Sequence, residues 1–354
     1  MASMAPEPRI VIGGIDTHKE IHVAAVLDTN GAILGTEQFA TTRQGYRRVL
    51  AWMRSFGDVR CVGIEGTGSY GAGITRHLSA AGVQVLEVDR PDRSDRRLRG
   101  KSDTLDAEAA ARAAWAGRRT SVPKTKTGRV ESLRVLRLTR STAVKARRAA
   151  MQLLRNHIVS APDPVRDELR RLTRMQLIRV CASWRPDNSA FRDPVVATRI
   201  ALKMLARRII ELGDEIATLD DLIEPLVGEL NPRLASALGV GTEIAGQLLV
   251  TAGDNPERMR SEAGFAMLCG VAPLPASSGM TNRHRLNRGG DRAANCALHM
   301  AVICRMRLDQ RTKTYVAKRT ADGLSKREII RCLKRYVARE LYALLRPALA
   351  HSGA

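Results

Sequence analysis

Aromatic residues make up only 3% of the 354-residue chain. So sparse a supply excludes a single-strand binder built on rows of base-stacking platforms. Cysteine is scarce too: Cys61, Cys181, Cys269, Cys296, Cys304 and Cys332 are scattered with no CxxC pair, which excludes a disulfide framework and a structural zinc site of the usual spacing. Reduced, mostly buried thiols are expected. No apolar run approaches the roughly 20 residues a membrane span needs, and the polar start "MASMAPEPR" has no signal-peptide pattern, so a soluble cytoplasmic protein with no membrane partner is expected. Acidic residues are also in deficit, 36 against 58 lysines and arginines, for a net charge of +22. That surplus favours a polyanionic partner, nucleic acid first, met through its phosphates.

What is present has a clear order. A chain of this length holds two or three domains. "RIVIGGID", "IHVAAVLD" and "GAILGTEQFA" are strand runs joined by short polar or glycine-containing connections that suit hairpins. A helix follows over residues 44–55, then the strand "VRCVGIEG", a helix in "GAGITRHLSAAG", the strand "VQVLEVD" and an alanine-rich helix in "KSDTLDAEAAARAA". Three meandering strands followed by helix, strand, helix, strand, helix is the order of an RNase H-like α/β domain. "RRTSVPKTKTG" has the composition of a linker.

Residues 130–160 then form a very basic helix. Leu133, Leu136, Ala143, Ala150, Leu154 and Ile158 recur at threes, fours and sevens, while Arg134, Arg137, Arg140, Lys145, Arg147, Arg148 and Arg155 fill the other faces and are candidate nucleic-acid contacts. After a loop containing "WRPDNSAFRDP", Leu202, Leu205, Ile209, Leu212, Ile216, Leu219, Ile223 and Leu226 keep a three-four spacing for over three heptads, which implies a coiled coil, folded back on the basic helix or paired with another protomer. The remainder is expected to be mainly α-helical. "LASALGVGTEIAGQLLVTAGD" suits a helix-hairpin-helix whose turn could meet a phosphate, or a plain glycine turn between packed helices.

Four carboxylates stand out. Asp16 ends the first strand and Glu65 ends the strand "VRCVGIE", so both project from strand ends into one cleft. Asp103 and Asp106, three apart, share a helix face. Taken singly, an aspartate at a helix start is more often a cap or dipole partner. Together, four carboxylates are what a pair of Mg²⁺ ions about 4 Å apart needs for phosphoryl transfer. His18 and His22, near this hard-oxygen set, fit supporting or surface roles better than zinc ligation. Downstream, Ser277 and Ser278 precede a glycine and a run containing Arg283, Arg285, Arg288 and Arg292. A serine among arginines is either a phosphate contact or a nucleophile.

The segments "GIDTHKEIHVAAVLD", "IEGTGSYG", "KSDTLDAEAAARAA" and "GVAPLPASSG", the last followed by "RGGDRAANCALHMA", resemble in this order the DEDD transposases of bacterial insertion sequences, also called bridge-RNA-guided recombinases. The resemblance spans nearly the whole chain. It implies a RuvC-like catalytic domain (residues 9–120), a basic coiled-coil region (129–228) and a C-terminal transposase domain with a catalytic serine (229–348). It further implies that Asp16, Glu65, Asp103 and Asp106 bind Mg²⁺, as two ions, and that Ser278 is the nucleophile, with Ser277 as the alternative. Donor and target DNA, a noncoding guide RNA and a homodimer assembling to a tetramer at the bacterial nucleoid are the implied partners. The rival reading is a RuvC-like endonuclease that uses water.

Overall fold

A computed structural model of the chain describes residues 9–89, 102–255, 258–280 and 284–351, the last six as backbone only. The chain falls into two compact units, residues 1–125 and 126–354. The first is a mixed α/β unit around a central sheet; the second is mostly helical.

In the first unit β1 (Ile10–Thr17), β2 (Ile21–Asp28) and β3 (Ile33–Ala40) form an antiparallel meander. α1 (Arg43–Ser55) leads to β4 (Asp58–Glu65), which lies parallel to β1, and α2 (Ala72–Ala80) leads to β5 (Gln84–Val88), parallel to β4. After α3 (Asp103–Ala116) a two-residue strand, β6 (Thr120–Ser121), pairs antiparallel with β5, giving the order β3-β2-β1-β4-β5-β6. That last strand sits within the stretch whose composition is that of a linker. Two residues are too short to leave a period-2 signature.

Alternation along the strands gives the sheet two faces of different character. Val11, Ile15, Ala24, Val26, Val62 and Ile64 face α1 and α2, where Val49, Met53, Ile74 and Leu78 complete the core. Each of the valine, leucine, isoleucine and methionine side chains among them contributes on the order of 1.5–3 kcal/mol by burial. The opposite face carries Ile12, Gly14 and Asp16 on β1 and, in register, Cys61 and Gly63 on β4. α3 lies on this face. Its small residues and the two paired glycines bring backbone against backbone: a Cβ at Gly14 would come within 2.3 Å of the Ala107 carbonyl oxygen, and one at Gly63 within 2.4 Å of that of Ala110.

In the second unit α4 (Arg129–Val159) packs against α7 (Pro194–Leu230). Val130 and Leu133 share a core with Ile223, Val227 and Leu230, and Ala150, Leu154 and Ile158 share one with Leu202, Leu205 and Ile209, so the two helices run antiparallel. The leucine and isoleucine stripe is thus met by the basic helix of the same chain. Between them lie α5 (Asp163–Leu169) and α6 (Arg174–Ser183), two short helices too charged to stand out by periodicity.

α8 (Pro232–Ala235) is a single turn before α9 (Gly241–Ala252); α10 (Glu262–Leu268) follows. The loop between α8 and α9 is tied down by Arg305, which donates to the Leu238 carbonyl at 2.8 Å. That favours the plain packed turn there. β7 (Leu274–Pro275) and β8 (His284–Arg285) pair as a short hairpin, then α11 (Arg292–Leu308), α12 (Gln310–Ala321) and the long basic α13 (Lys326–His351) complete the unit. Phe265, Leu298, Val302 and Leu341 lie at its core. No helix among the described residues is long and apolar enough to cross a membrane. Of the six cysteines, all free, Cys61, Cys181 and Cys269 are buried, Cys304 and Cys332 are half-buried and Cys296 is exposed, so fewer are fully buried than composition suggests.

Candidate active site

In the first unit Asp16, Asp103 and Asp106 come together at one end of the α3 face, with Glu65 beside Asp16 by strand register. Asp16 lies two residues beyond Gly14, and Glu65 two beyond Gly63; because Gly14 pairs with Gly63, the two carboxylates leave adjacent parallel strands on the same side. Thr17 locks the strand ends by donating its hydroxyl to the Glu65 carbonyl at 2.8 Å. α3 descends over the glycines and starts beside these residues. Ser102 is its N-cap, its hydroxyl accepting from the Leu105 amide at 3.3 Å. With serine doing the capping, Asp103 and Asp106 in the first turn are not needed as caps, and both stand close enough to Asp16 to act on its charge. Asp106 is buried and Asp103 is exposed.

His18 links the two halves. Its Nδ1 lies 3.7 Å from an Asp16 oxygen and its Nε2 lies 3.7 Å from an Asp103 oxygen. One ligand atom from each of Asp16, His18 and Asp103 can be chosen so that all three fall within 4.8 Å of one another. Burial pushes the Asp16 carboxyl above its ordinary range; His18 opposes this, and Asp106 and Asp103 add to it. Concentrated negative charge in a half-buried place is what a divalent cation relieves, and a donor set of carboxylate oxygens suits a hard ion. The residues therefore fit a metal. Sequence reasoning gave His18 a supporting or surface role, and its place between two aspartates makes it a third potential ligand. The signal available was its position two residues after Asp16, beyond the end of the strand.

His22 is different. It is fully buried on the other face of the sheet, where its ring stacks on Tyr46 with centroids 5.8 Å apart; it is neither a surface group nor part of the acidic cluster. Alternation along β2 turns it inward. Neither ring nitrogen has a hydrogen-bond partner among the described residues, and burial, aided by the neighbouring His18, lowers its pKa to about 4. The fold therefore favours the neutral ring. Its contribution to stability is complete above pH 6.5 and is lost as pH falls toward 4, a change on the order of 3 kcal/mol. His22→Phe, which keeps the stacking, is expected to flatten that acid dependence and to leave stability at pH 7.5 equal or higher, as read by urea denaturation at pH 5 and 7.5. An unchanged acid slope in the variant would contradict this.

In the second unit Ser277 and Ser278 lie in the connection of the β7–β8 hairpin, both exposed, followed by Gly279 at φ +56°. Arg285 stands on β8 and Arg288 and Arg292 follow it, all exposed; Arg283 lies outside the described residues. Asp291 ends the "RGGD" run as the N-cap of α11, accepting from the amides of Ala293 and Ala294 at 2.8 and 3.1 Å. At the foot of the hairpin is a cavity of about 570 Å³ walled by Arg285, Leu286, Arg331, Lys334 and Tyr336, among others. Sequence reasoning did not single out the α13 cations of this wall. Lys334 is held by Asn295, to whose side-chain oxygen it donates at 2.8 Å, and burial and the nearby Arg331 lower its pKa.

The α4 cations divide. Arg134 binds Glu131 twice at 2.7 Å, Arg137 binds Glu243 at 2.9 and 3.1 Å, and Arg140 binds Asp220 and Glu243. These three are engaged within the chain; the Arg134 pair is an i,i+3 contact along the helix, whereas the partners of Arg137 and Arg140 lie on other helices, where spacing along one helix cannot reveal them. Lys145, Arg147, Arg148 and Arg155 form no ion pair among the described residues.

Comparison with known proteins agrees with these features. A family model described as Transposase matches residues 13–162, and a second, described as Transposase IS116/IS110/IS902 family, matches residues 231–317. The first match contains all four carboxylates, and the second contains both serines. A protein of Streptomyces coelicolor, the "Insertion element IS110 uncharacterized 43.6 kDa protein", is 30% identical over 150 residues, covering 42% of this chain and 37% of that relative. With both family models matched in order, the chain belongs to the IS110 family of DEDD transposases.

Proposed function

We propose that the chain is an RNA-guided, Mg²⁺-dependent DNA recombinase that moves an insertion sequence. The observation that carries the catalytic part is the convergence of Asp16, Asp103 and Asp106, with Glu65 beside them by strand register, at one end of the sheet. The strand order and pairing are those expected of an RNase H-like, RuvC-like domain. On this reading the domains are residues 9–120, 129–228 and 229–348, and the antiparallel α4–α7 pair is the coiled-coil region.

Asp16, Glu65, Asp103 and Asp106 would hold the metal, as two ions. When bound, the metal supplies charge stabilisation at the phosphate and at the departing oxygen. His18, between Asp16 and Asp103, orients both carboxylates. The Ser278 hydroxyl, with Ser277 as the alternative, attacks the phosphorus of a DNA phosphodiester. Its proton passes to solvent or a neighbouring base, the phosphorus–oxygen bond to the 3′ carbon's oxygen breaks, and that oxygen takes up a proton from solvent to leave as a 3′ hydroxyl. The 5′ phosphate stays esterified to serine. A 3′ hydroxyl from another strand then attacks the phosphoserine, releasing the serine and resealing DNA with no external energy source. Arg285, Arg288 and Arg292, together with the cations of α13, would neutralise the phosphate backbone. Pairing of a noncoding RNA with donor and target DNA would supply sequence specificity, and homodimers would assemble to a tetramer. The resemblance and the net charge of +22 support the RNA part.

Ser278→Ala is expected to abolish the protein–DNA adduct that survives denaturation, and strand exchange with it, while RNA binding stays within twofold of the parent chain. Exchange that persists in both Ser278→Ala and Ser277→Ala would remove the serine mechanism. Cleavage with no adduct in the parent chain would favour a RuvC-like endonuclease using water.

A further inference from the structure

Four arginines of the second unit converge on one small concavity. Arg147, Arg148 and Arg155 from the second half of α4 and Arg174, the first residue of α6, line a pocket of about 310 Å³ together with Val144, Met151 and Gln152. No carboxylate is among its walls. None of the four guanidinium groups forms an ion pair or hydrogen bond among the described residues, in contrast to Arg134, Arg137 and Arg140 in the first half of the same helix, each of which grips an acidic side chain.

The fold forces this gathering. Met151 and Leu154 of α4 share a core with Leu177 and Ile178 of α6, which fixes the start of α6 against the basic helix. Gly213 of α7 leaves space beside Arg147, whose Nη1 would lie 3.8 Å from a Cβ there. Like charges held together without a counterion raise the energy of the free protein, and an anion in their midst removes that cost. Arginine's planar fork suits phosphate oxygens two at a time, and the volume reaches the lower end of the range of ligand pockets.

We infer that this pocket binds the phosphodiester backbone of a nucleic acid, taking neighbouring phosphates between the α4 arginines and Arg174. It is a localised site, distinct from the hairpin serines and the acidic cluster, and Arg174 and Gln152 belong to it. The inference rests on the reading of the chain as a nucleic-acid enzyme, but needs no cleavage.

The test is a titration of the full chain with a labelled hairpin RNA and, separately, a labelled duplex DNA over a series of NaCl concentrations. Arg155→Gln combined with Arg174→Gln is expected to lower affinity by about tenfold or more for one of them, and to make the slope of log affinity against log salt shallower by about 1.4 for single-stranded contacts or about 1.8 for duplex. The nucleic acid that shows the change is the source of the phosphate. Arg166→Gln, in the same region but paired with Asp163 and outside the pocket, should leave the slope unchanged. Slopes in the double variant equal to those of the parent for both nucleic acids would overturn the pocket alone. A parent chain with no salt dependence toward either would overturn the nucleic-acid reading as well. Should the double variant lose its cooperative melt, Arg148→Gln, at an exposed position, reads the same quantity, with an expected change of about 0.7 to 0.9.

Discussion

Gly14→Ala is expected to destabilise the first unit by about 3 kcal/mol or more, a large share of the roughly 5–15 kcal/mol that holds a typical domain together. The added methyl would sit 2.2 Å from the Ala111 amide nitrogen and 2.3 Å from the Ala107 carbonyl oxygen. Overpacking usually costs about 1–3 kcal/mol, because side chains can turn aside. Here the obstacle is the backbone of α3, which can yield only by moving the whole helix off β1 and β4. Lifting α3 carries Asp103 and Asp106 away from Asp16, so whatever fraction of the variant remains folded should cleave poorly. Gly82→Ala is the informative contrast. Gly82 sits at φ +77° with nothing within 4 Å of a Cβ, so its cost is backbone strain alone, about 1–2 kcal/mol. Urea denaturation of the two variants measures the difference; equal losses would show that α3 does not rest on the sheet through its glycine.

The second large effect concerns function without stability. Asp16→Asn is expected to reduce metal-dependent DNA cleavage on the order of 10³-fold while leaving the fold as stable as the parent, or more so, at neutral pH. The reason is the cost the parent already bears. Asp16 is buried, and Asp106 and Asp103 stand close enough to raise its carboxyl further. A raised acid stabilises the fold only when protonated, so that contribution is present at low pH and lost as pH climbs through the folded value. Asparagine keeps the shape and carries no charge. A residue whose removal strengthens the fold but ends the chemistry is one retained for function. A drop in melting temperature matching the drop in cleavage would instead mark Asp16 as structural.

Much of this was legible in the chain itself. The strand meander and the alternation of strands and helices followed from period-2 apolar runs, and the long α7 stripe from its sustained spacing, because both patterns report one buried face. The conjunction of "GID", "GIEG" and "SDTLDAEA" pointed to the acidic cluster. What sequence spacing could not convey was the reason these segments meet. The glycine two residues before each strand carboxylate is the mark of a close helix crossing, and its meaning appears only when Gly14 and Gly63 are seen paired under α3. Nor could a helical wheel divide the α4 arginines, since the acids that occupy Arg137 and Arg140 lie about a hundred residues away in sequence, at Asp220 and Glu243. His22 and His18 look alike as neighbours of a strand turn, yet one lies in the core and the other between two aspartates.

The measurement that bears most directly on the acidic cluster is a calorimetric titration of Mn²⁺ into the full chain and into Asp16→Asn. The expected result is saturable binding by the parent chain that is lost or weakened severalfold in the variant, with both proteins equally folded by circular dichroism. A Mn²⁺ isotherm for Asp16→Asn that overlays that of the parent would contradict the assignment of these carboxylates as a metal site.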